Sequence, residues 1–355
     1  MILKLFLFWR LGLFAITYLG SKAFAISQNG GLGAPSAIKP FDYWLSWAQW
    51  DGGYYYNIAQ KGYILFNDFA FFPLYPALIS LIPSNTLFSG LVISNLAFLL
   101  FLKIFYEFLK NSYSKQTAKN TIFTFLCFPT TFFAVAFYSE GLFLFLVIFA
   151  FVLMYKNKTF ESALVIAFAS LARFVAVFLI ISIFYNLFKT AKVWSSKTLL
   201  ILPSTFGILA YSIYLFAKTN DPFIFANTQS FWQRSVSDPI STMIGHLWQI
   251  AANPIAPLDK YFDLAVTAGF LAILIWGAKK IPSSLWIFSM LVILIPASTG
   301  TLTSMPRYVL GALGTFIIIG NFLGKHPKVR YPLWAVSLVL QAILAVRFIN
   351  GWWVA

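Results

Sequence analysis

The chain has 355 residues, of which 60% are hydrophobic and only 10% are charged, and its mean hydropathy is +0.80. Soluble domains carry about 25% charged residues, so this composition excludes an ordinary soluble protein and predicts an all-α polytopic membrane protein. The net charge of +15 does not indicate nucleic-acid binding, because the basic residues are dispersed between apolar segments in the way that membrane topology requires.

Apolar runs of about 20 residues predict membrane-spanning helices along the whole chain. The first run resembles a signal peptide ending in Ala23-Phe24-Ala25, but it is long for one, so we expect an uncleaved span. Nine full spans are predicted, at residues 5–26, 86–110, 120–137, 139–155, 198–217, 259–278, 283–298, 306–323 and 331–349.

Two further segments predict shorter helices. Residues 160–188 are interrupted by Arg173 and are too long for one span, so they predict a pair of short helices that forms a hairpin and brings the total to about 11. Residues 70–82 predict a short helix at the membrane interface, led in by prolines.

The distribution of lysine and arginine predicts the orientation. Lysine and arginine residues are concentrated in every second connection between the predicted spans, and such connections are usually cytoplasmic. This pattern predicts a cytoplasmic N-terminus, an outer C-terminus, and an extracytoplasmic location for the two long segments 27–85 and 218–258. No internal repeat or soluble domain is visible, so residues 1–355 are expected to form one membrane domain. Cys127 is the only cysteine, which rules out an intrachain disulfide.

The sequence lacks the glycine-rich, Cys-x-x-Cys and His-Glu-x-x-His motifs of nucleotide and metal sites. Its two histidines, His246 and His326, have no neighbouring cluster of metal ligands. We therefore expect neither a metal nor a cofactor, and any chemistry falls to carboxylates and guanidinium groups.

Asp51 is the leading catalytic candidate, in the sequence WAQWDGGYYY. The glycines Gly52 and Gly53 allow a sharp turn and the close approach of a ligand, while aromatic neighbours such as Trp50 and Tyr54 suit both a membrane interface and a sugar ring. A carboxylate in this setting suits a general base. An interfacial aromatic belt, with Asp51 capping a helix that begins near Tyr54, explains the local sequence equally well.

Three other charged residues are candidates. Arg307, at the outer mouth of a predicted span, suits bidentate binding of a phosphate, or contacts with lipid headgroups. Arg173 lies at the crest of the predicted hairpin, where an ionisable group needs a function or a partner, and Glu140 is its nearest candidate partner.

In the segment 218–258, the spacing of Gln229, Trp232 and Arg234 predicts one shared helical face that suits a sugar or a phosphate. An ordinary interfacial helix would carry the same residues, so the local signal leaves both interpretations open.

The chain as a whole resembles a known family in a series of short matches that keep their order over nearly its full length. They are Trp50-Asp51-Gly52-Gly53, Ile58-Ala59, Gly62-Tyr63, Phe71-Phe72-Pro73-Leu74-Tyr75-Pro76, Phe128-Pro129-Thr130, Tyr138-Ser139-Glu140, Leu171-Ala172-Arg173, Asp221-Pro222 with Gln229, Trp232 and Arg234, Met305-Pro306-Arg307-Tyr308, and Gly351-Trp352-Trp353-Val354-Ala355. Together they resemble the PIG-V-type mannosyltransferases, which include the enzyme that adds the second mannose to GPI anchors.

The resemblance implies a GT-C glycosyltransferase fold with an extracytoplasmic active site, in a multi-pass protein of a prokaryotic plasma membrane. It implies a polyprenyl-phosphate hexose, most often mannose, as donor, a lipid-linked or glycan acceptor, and in some members a small membrane partner subunit. Asp51 would be the general base of a metal-independent inverting transfer. The donor phosphate would be bound by Arg307, Arg234, Arg173 and Lys61. Substrate contacts would come from Trp50, Gly52, Gly53, Tyr54, Tyr75, Tyr138, Glu140, Gln229, Trp232 and Tyr308.

Two other functions stay open at this stage. A flippase or transporter of lipid-linked sugars predicts charged residues near the middle of several spans, whereas the candidates here gather on one side, with Arg173 as the partial exception. An inactive assembly subunit would keep the fold without the activity.

Overall fold

The computed structural model describes residues 1–28, 31–33, 40–190, 196–253 and 257–354. These residues form sixteen α-helices joined by short 3₁₀-helices and contain no β-strand, so the all-helical prediction is confirmed for them. The first eight helices are α1 Ile2–Ala23, α2 Asp51–Lys61, α3 Leu74–Ser80, α4 Thr86–Ser112, α5 Lys115–Cys127, α6 Glu140–Tyr155, α7 Thr159–Ala172 and α8 Leu179–Thr190. The others are α9 Phe206–Thr219, α10 Ile224–Asn227, α11 Pro239–Ala252, α12 Leu258–Trp276, α13 Ser283–Ala297, α14 Met305–Tyr308, α15 Leu313–Lys325 and α16 Pro327–Ile349.

Four helical segments in the described part of the chain are long and apolar enough to cross a membrane: Ile2–Ala23, Thr86–Ser112, Thr198–Thr219 and Pro327–Ile349. A fifth span results if Met305–Gly311 and Leu313–Lys325, which are bent by 80° relative to each other, count as one. Large apolar side chains on these segments, such as Phe8 and Ile213, are exposed. Such side chains are compatible with lipid and not with water, so the protein is a helical membrane protein.

The prediction of nine full-length spans is wrong for the described residues. The predicted spans 120–137, 139–155 and 283–298 correspond to helices of 13, 16 and 15 residues. At 1.5 Å per residue these helices are about 20–24 Å long, which is less than the hydrocarbon core of about 30 Å. The helix α5 ends at Cys127 because Pro129 and a 3₁₀-helix follow it, although the sequence there stays apolar.

Two of the other predicted elements differ in detail, and one is present as expected. The predicted span 259–278 corresponds to α12, which begins with the charged residues Asp259, Lys260 and Asp263. The short helix predicted at 70–82 covers only Leu74–Ser80. The pair of short helices predicted for 160–188 is confirmed: α7 ends before Arg173, and a 3₁₀-turn leads into α8.

The described chain divides into two compact units, and the first contains Met1–Ile64, Tyr75–Phe145 and Gly320–Val354. Its core is a stack of phenylalanine rings, because Phe98, Phe101 and Phe105 follow one face of α4 and meet Phe125 of α5. These four side chains are fully buried. The helix α1 packs on α16 and α4, so the two ends of the chain belong to the same core.

The second unit contains Leu65–Leu74 and Leu146–Ile319. Here α7 packs closely on α9, because Gly207 lies against the carbonyl of Ala167 and leaves no room for a Cβ atom. The helix α13 packs against α8, α12 and α14. The phenolic hydroxyl of Tyr211 donates a hydrogen bond of 2.9 Å to the carbonyl of Phe69, which fixes the segment 65–74 on α9.

Candidate functional site

Asp51 is the first residue of α2, and the backbone before it has an unusual conformation. Trp50 has φ 53° and ψ −120°, a combination that costs a bulky residue about 1–3 kcal/mol. The amide of Gly52 donates to the carbonyl of Gln49 at 3.0 Å, which closes a tight turn around Trp50. This turn places the Asp51 carboxylate in the first turn of the helix, where the helix dipole favours a negative charge. The sequence predicted a helix that begins near Tyr54. The observed helix begins three residues earlier, at Asp51.

The two glycines after Asp51 differ in what surrounds them. A Cβ atom on Gly52 would lie 3.1 Å from the carbonyl oxygen of Phe137 and 3.2 Å from the ring of Tyr138, so the protein itself occupies that space. A Cβ atom on Gly53 would meet Leu32 at an ordinary 3.5 Å. Gly52 is thus needed for internal packing, and its role in the approach of a ligand stays a prediction.

The segment from Phe137 to Glu140 supports the turn around Trp50. Tyr138 donates its hydroxyl hydrogen to the carbonyl of Gln49 at 2.8 Å, and the hydroxyls of Tyr55 and Ser139 are 2.9 Å apart. Tyr138 and Glu140 are buried, and Glu140 is the first residue of α6. The predicted residues Asp51, Tyr138 and Glu140 therefore belong to one structural cluster.

Tyr75 belongs to the same cluster, since its ring packs edge-on against Tyr55 at 5.3 Å between centroids. Its hydroxyl lies 2.8 Å from that of Ser94. Burial raises the pKa of Tyr75 well above its ordinary value, and its electrostatic interactions with Tyr55 and Glu140 act in the same direction. Tyr75 therefore stays protonated and serves as a hydrogen-bonding group, not as a base.

The remaining predicted residues of this region lie on α2 or beside it. The Trp50 ring packs edge-on against Trp353 at 5.1 Å between centroids, and Tyr54 is partly buried. Lys61 is exposed at the far end of α2. It lies ten positions along the helix from Asp51, a distance of about 15 Å along the axis. The structure thus does not bring Lys61 to Asp51.

Three arginines surround the ring of Tyr308. The guanidinium carbons of Arg173, Arg234 and Arg307 lie 5.4, 5.5 and 5.6 Å from the ring centroid. Arg234 donates a hydrogen bond of 2.9 Å to the Tyr308 hydroxyl and one of 3.3 Å to the carbonyl of Thr303. Arg307 is only 5% exposed. Three like charges around one ring repel each other, so this arginine cluster favours the binding of an anion.

Each of these arginines lies where the backbone is irregular. Arg173 follows the end of α7, and Arg307 lies in the short α14 just after Ser304, whose φ is 72°. Arg234 follows Gln233, whose φ is 55°. Positive φ values at residues other than glycine are uncommon and often accompany functional sites.

The expectation that Gln229, Trp232 and Arg234 share one helical face is wrong. A 3₁₀-helix, Thr228–Trp232, ends before the left-handed Gln233, which turns the chain ahead of Arg234. Arg234 reaches Tyr308, whereas Trp232 packs edge-on against Phe71 and the Gln229 amide lies 3.5 Å from the carbonyl of Phe225. The sequence spacing therefore grouped three residues that are close along the chain, but it did not predict the directions in which their side chains point.

Two residues at these clusters were missed by sequence reasoning. Asp263 of α12 is only 5% exposed and interacts electrostatically with Arg234. Its signal was an acidic residue within an apolar run, which usually marks a functional or paired group. The second is Gln49, whose side chain is fully buried next to Trp50 and Asp51. No local pattern distinguishes it.

Asp51 belongs to the first compact unit and the arginine cluster to the second. Within the described ranges, no group of three or more His, Cys, Asp or Glu residues is arranged to hold a metal ion. No protein-family model matches the chain, and no curated protein matches it.

Proposed function

We propose that the protein is a membrane glycosyltransferase that moves a hexose, mannose in the family it resembles, from a polyprenyl-phosphate donor to a hydroxyl of a lipid-linked or glycan acceptor. The observation that carries the proposal is the arginine cluster, in which Arg173, Arg234 and Arg307 surround Tyr308 in a helical membrane protein. The proposal includes a GT-C fold, a cytoplasmic N-terminus, an extracytoplasmic C-terminus and active site, and a prokaryotic plasma membrane.

The arginine cluster is the proposed site of the donor phosphate. Guanidinium groups bind phosphate oxygens in pairs and stay charged at every physiological pH. The bond from Arg234 to the Tyr308 hydroxyl fixes one of the three before the substrate arrives. When the bond from the sugar to the phosphate breaks, negative charge grows on the leaving oxygen, and cations already in place stabilise that charge more strongly than mobile water does.

Asp51 is the proposed general base. Its carboxylate takes the proton of the acceptor hydroxyl while the oxygen of that hydroxyl forms a bond to the anomeric carbon of the hexose. The polyprenyl phosphate leaves from the opposite face with the electron pair of the broken bond, so the configuration at that carbon inverts. The strained turn at Trp50 supports this role, because it fixes the direction in which Asp51 leaves the backbone.

A transfer assay tests the proposal. Purified protein in lipid nanodiscs is given a panel of radiolabelled polyprenyl-phosphate hexoses together with a membrane lipid extract, and labelled product is measured. Wild type should form product, whereas Asp51→Asn and Arg307→Gln should lose most of it. Asp238→Asn is the matched control, because Asp238 is an exposed cap of α11 and asparagine caps a helix equally well.

The transfer assay, together with an assay of sugar translocation in liposomes, separates the two alternatives. A flippase would bind the lipid phosphate through the arginine cluster without any need for Asp51, so Asp51→Asn would keep its sugar translocation in liposomes. An inactive assembly subunit would form no product in wild type and would translocate nothing. Formation of product by the wild type would by itself exclude an inactive assembly subunit. Loss of that product in Asp51→Asn would favour the transferase.

A further inference from the structure

We propose that Trp353 is a positioning residue for Asp51, because its ring holds the strained turn from which Asp51 leaves the backbone. Trp353 lies in the segment that follows α16 and belongs to the last of the short sequence matches, to which the proposed function assigns no role. The inference deepens the proposed function and rests on it in one respect, the role of Asp51 as the general base.

The turn at Trp50 needs support from its surroundings. A bulky residue keeps a φ of 53° and a ψ of −120° only where its neighbours hold it in that conformation. The ring of Trp50 packs edge-on against the ring of Trp353, with 5.1 Å between the centroids and 87° between the planes. This geometry is favoured for aromatic pairs, because the positive edge of one ring meets the negative face of the other. The contact with Trp353 therefore stabilises Trp50 in its strained conformation.

The end of α16 determines where Trp353 lies. Gly351 has a left-handed φ of 81°, and its amide donates to the carbonyl of Phe348 at 3.0 Å. The amide of Trp352 donates to the carbonyl of Arg347 at 2.9 Å. A left-handed glycine with these two bonds is the Schellman motif that ends many helices. It fixes the direction in which the chain leaves α16, and with it the position of Trp353.

Side chains of the same segment hold it in place. The carbonyl of Ala25, just after α1, accepts bonds from the Trp352 indole at 2.9 Å and from the Asn350 amide at 3.4 Å. Arg347 donates a bond of 3.3 Å to the carbonyl of Trp353. The segment that carries Trp353 is therefore attached both to α1 and to the last turn of α16.

The end of α16 also supports the other residue of the turn. Phe348 is fully buried, and its ring packs edge-on against Tyr138 at 5.9 Å between centroids. The hydroxyl of Tyr138 donates to the carbonyl of Gln49. One end of one helix thus holds Gln49 through Tyr138 and Trp50 through Trp353, and these two residues directly precede Asp51.

The consequence for the reaction is a matter of direction. A general base works only when its carboxylate lies within hydrogen-bonding reach of the proton that it removes. Without the ring of Trp353, Trp50 relaxes towards an ordinary conformation, and Asp51 then leaves the backbone in another direction. Trp353 therefore acts through Trp50 on the rate of transfer, and not on the affinity for the donor phosphate, which depends on the arginine cluster.

Hydrogen exchange tests the support of the turn without any need for turnover. The Gly52 amide closes the turn through its bond to Gln49, so its exchange with deuterium reports how often the turn opens. In nanodiscs, Trp353→Leu should raise the exchange rate of this amide by about three- to tenfold, the factor that an edge-to-face pair contributes to an equilibrium. Trp353→Phe keeps a ring and should stay within about twofold of wild type.

Trp352→Leu is the matched control, because it removes a tryptophan and its bond to Ala25 from the same segment but leaves the ring of Trp353. It should lower the thermal midpoint without changing the exchange of the Gly52 amide. An unchanged exchange rate in Trp353→Leu overturns the inference, and so does an equal rise in Trp352→Leu, which would indicate a general loosening of the segment.

A single-turnover measurement with labelled donor already bound tests the effect on the reaction. Trp353→Leu should slow transfer by about three- to tenfold at an unchanged donor affinity, and Trp353→Phe should restore the rate. A wild-type rate in Trp353→Leu overturns the inference. If wild type transfers nothing, or Asp51→Asn keeps full activity, the proposed function is refuted instead, while the exchange of the Gly52 amide still decides whether Trp353 holds the turn.

Discussion

Replacing each of the two glycines after Asp51 by alanine tests the account of the turn at Trp50. Both glycines lie in the first turn of α2, and alanine favours a helix by about 1 kcal/mol over glycine at either place. Gly53→Ala adds a Cβ atom 3.5 Å from Leu32, which is an ordinary contact, so this variant should be more stable than wild type by about 1 kcal/mol.

Gly52→Ala should have the opposite sign. Its Cβ atom would lie 3.1 Å from the carbonyl oxygen of Phe137 and 3.2 Å from the ring of Tyr138. Neither neighbour can easily move, since the Phe137 amide donates to Trp47 and the Tyr138 hydroxyl to Gln49. Overpacking of this kind costs about 1–3 kcal/mol, which cancels or exceeds the gain in helix propensity.

The assay is unfolding by sodium dodecyl sulfate in mixed micelles, followed by tryptophan fluorescence, with both variants compared with wild type. Gly53→Ala should unfold at higher detergent fractions than Gly52→Ala, with a difference of about 1–3 kcal/mol between them. In the transfer assay, Gly52→Ala should also lose more activity, because the clash displaces Asp51. Equal stabilisation by the two alanines would refute the packing role of Gly52.

Three further predictions concern other parts of the protein. Tyr308→Phe keeps the ring but loses the hydrogen bond from Arg234. The KM for the donor should therefore rise about tenfold in the transfer assay, with a smaller change in kcat. An unchanged KM would contradict the role of the arginine cluster. Gly90→Ala should prevent purification of folded protein, since the ring of Phe137 fills the space of the new Cβ atom; normal yield in size-exclusion chromatography would contradict this. Burial lowers the pKa of His246 below its ordinary 6.5, so the unfolded chain takes up a proton at a higher pH than the folded protein does. Stability should therefore fall as the pH drops below 6.5 and level off below the folded pKa, and His246→Gln should remove that part of the pH dependence, measured by thermal unfolding at a series of pH values.

The helical membrane class could be predicted from composition alone. The break at Arg173 could be predicted from a costly ionisable residue in an apolar segment that is too long for one span. The number of full spans could not. The residues after Cys127 are as apolar as a membrane helix, and a hydropathy window does not distinguish a 3₁₀-turn from an α-helix of the same composition. Such a window also does not register Pro129, which follows the end of α5.

The candidate site was identified in part. Asp51 and Arg307 stood out as isolated charges beside glycine or proline, which is a local signal. The bond from Arg234 to Tyr308 joins residues 74 positions apart, and no local pattern contains it.

The most direct test of the central claim is the rate of a single turnover in Asp51→Asn with radiolabelled donor already bound. Loss of a general base reduces the rate by about 10²–10⁴-fold, while the affinity for the donor, which depends on the arginine cluster, should stay within about twofold of wild type. A fall in rate of less than about tenfold, with normal folding and donor binding, would contradict the assignment of Asp51 as the base.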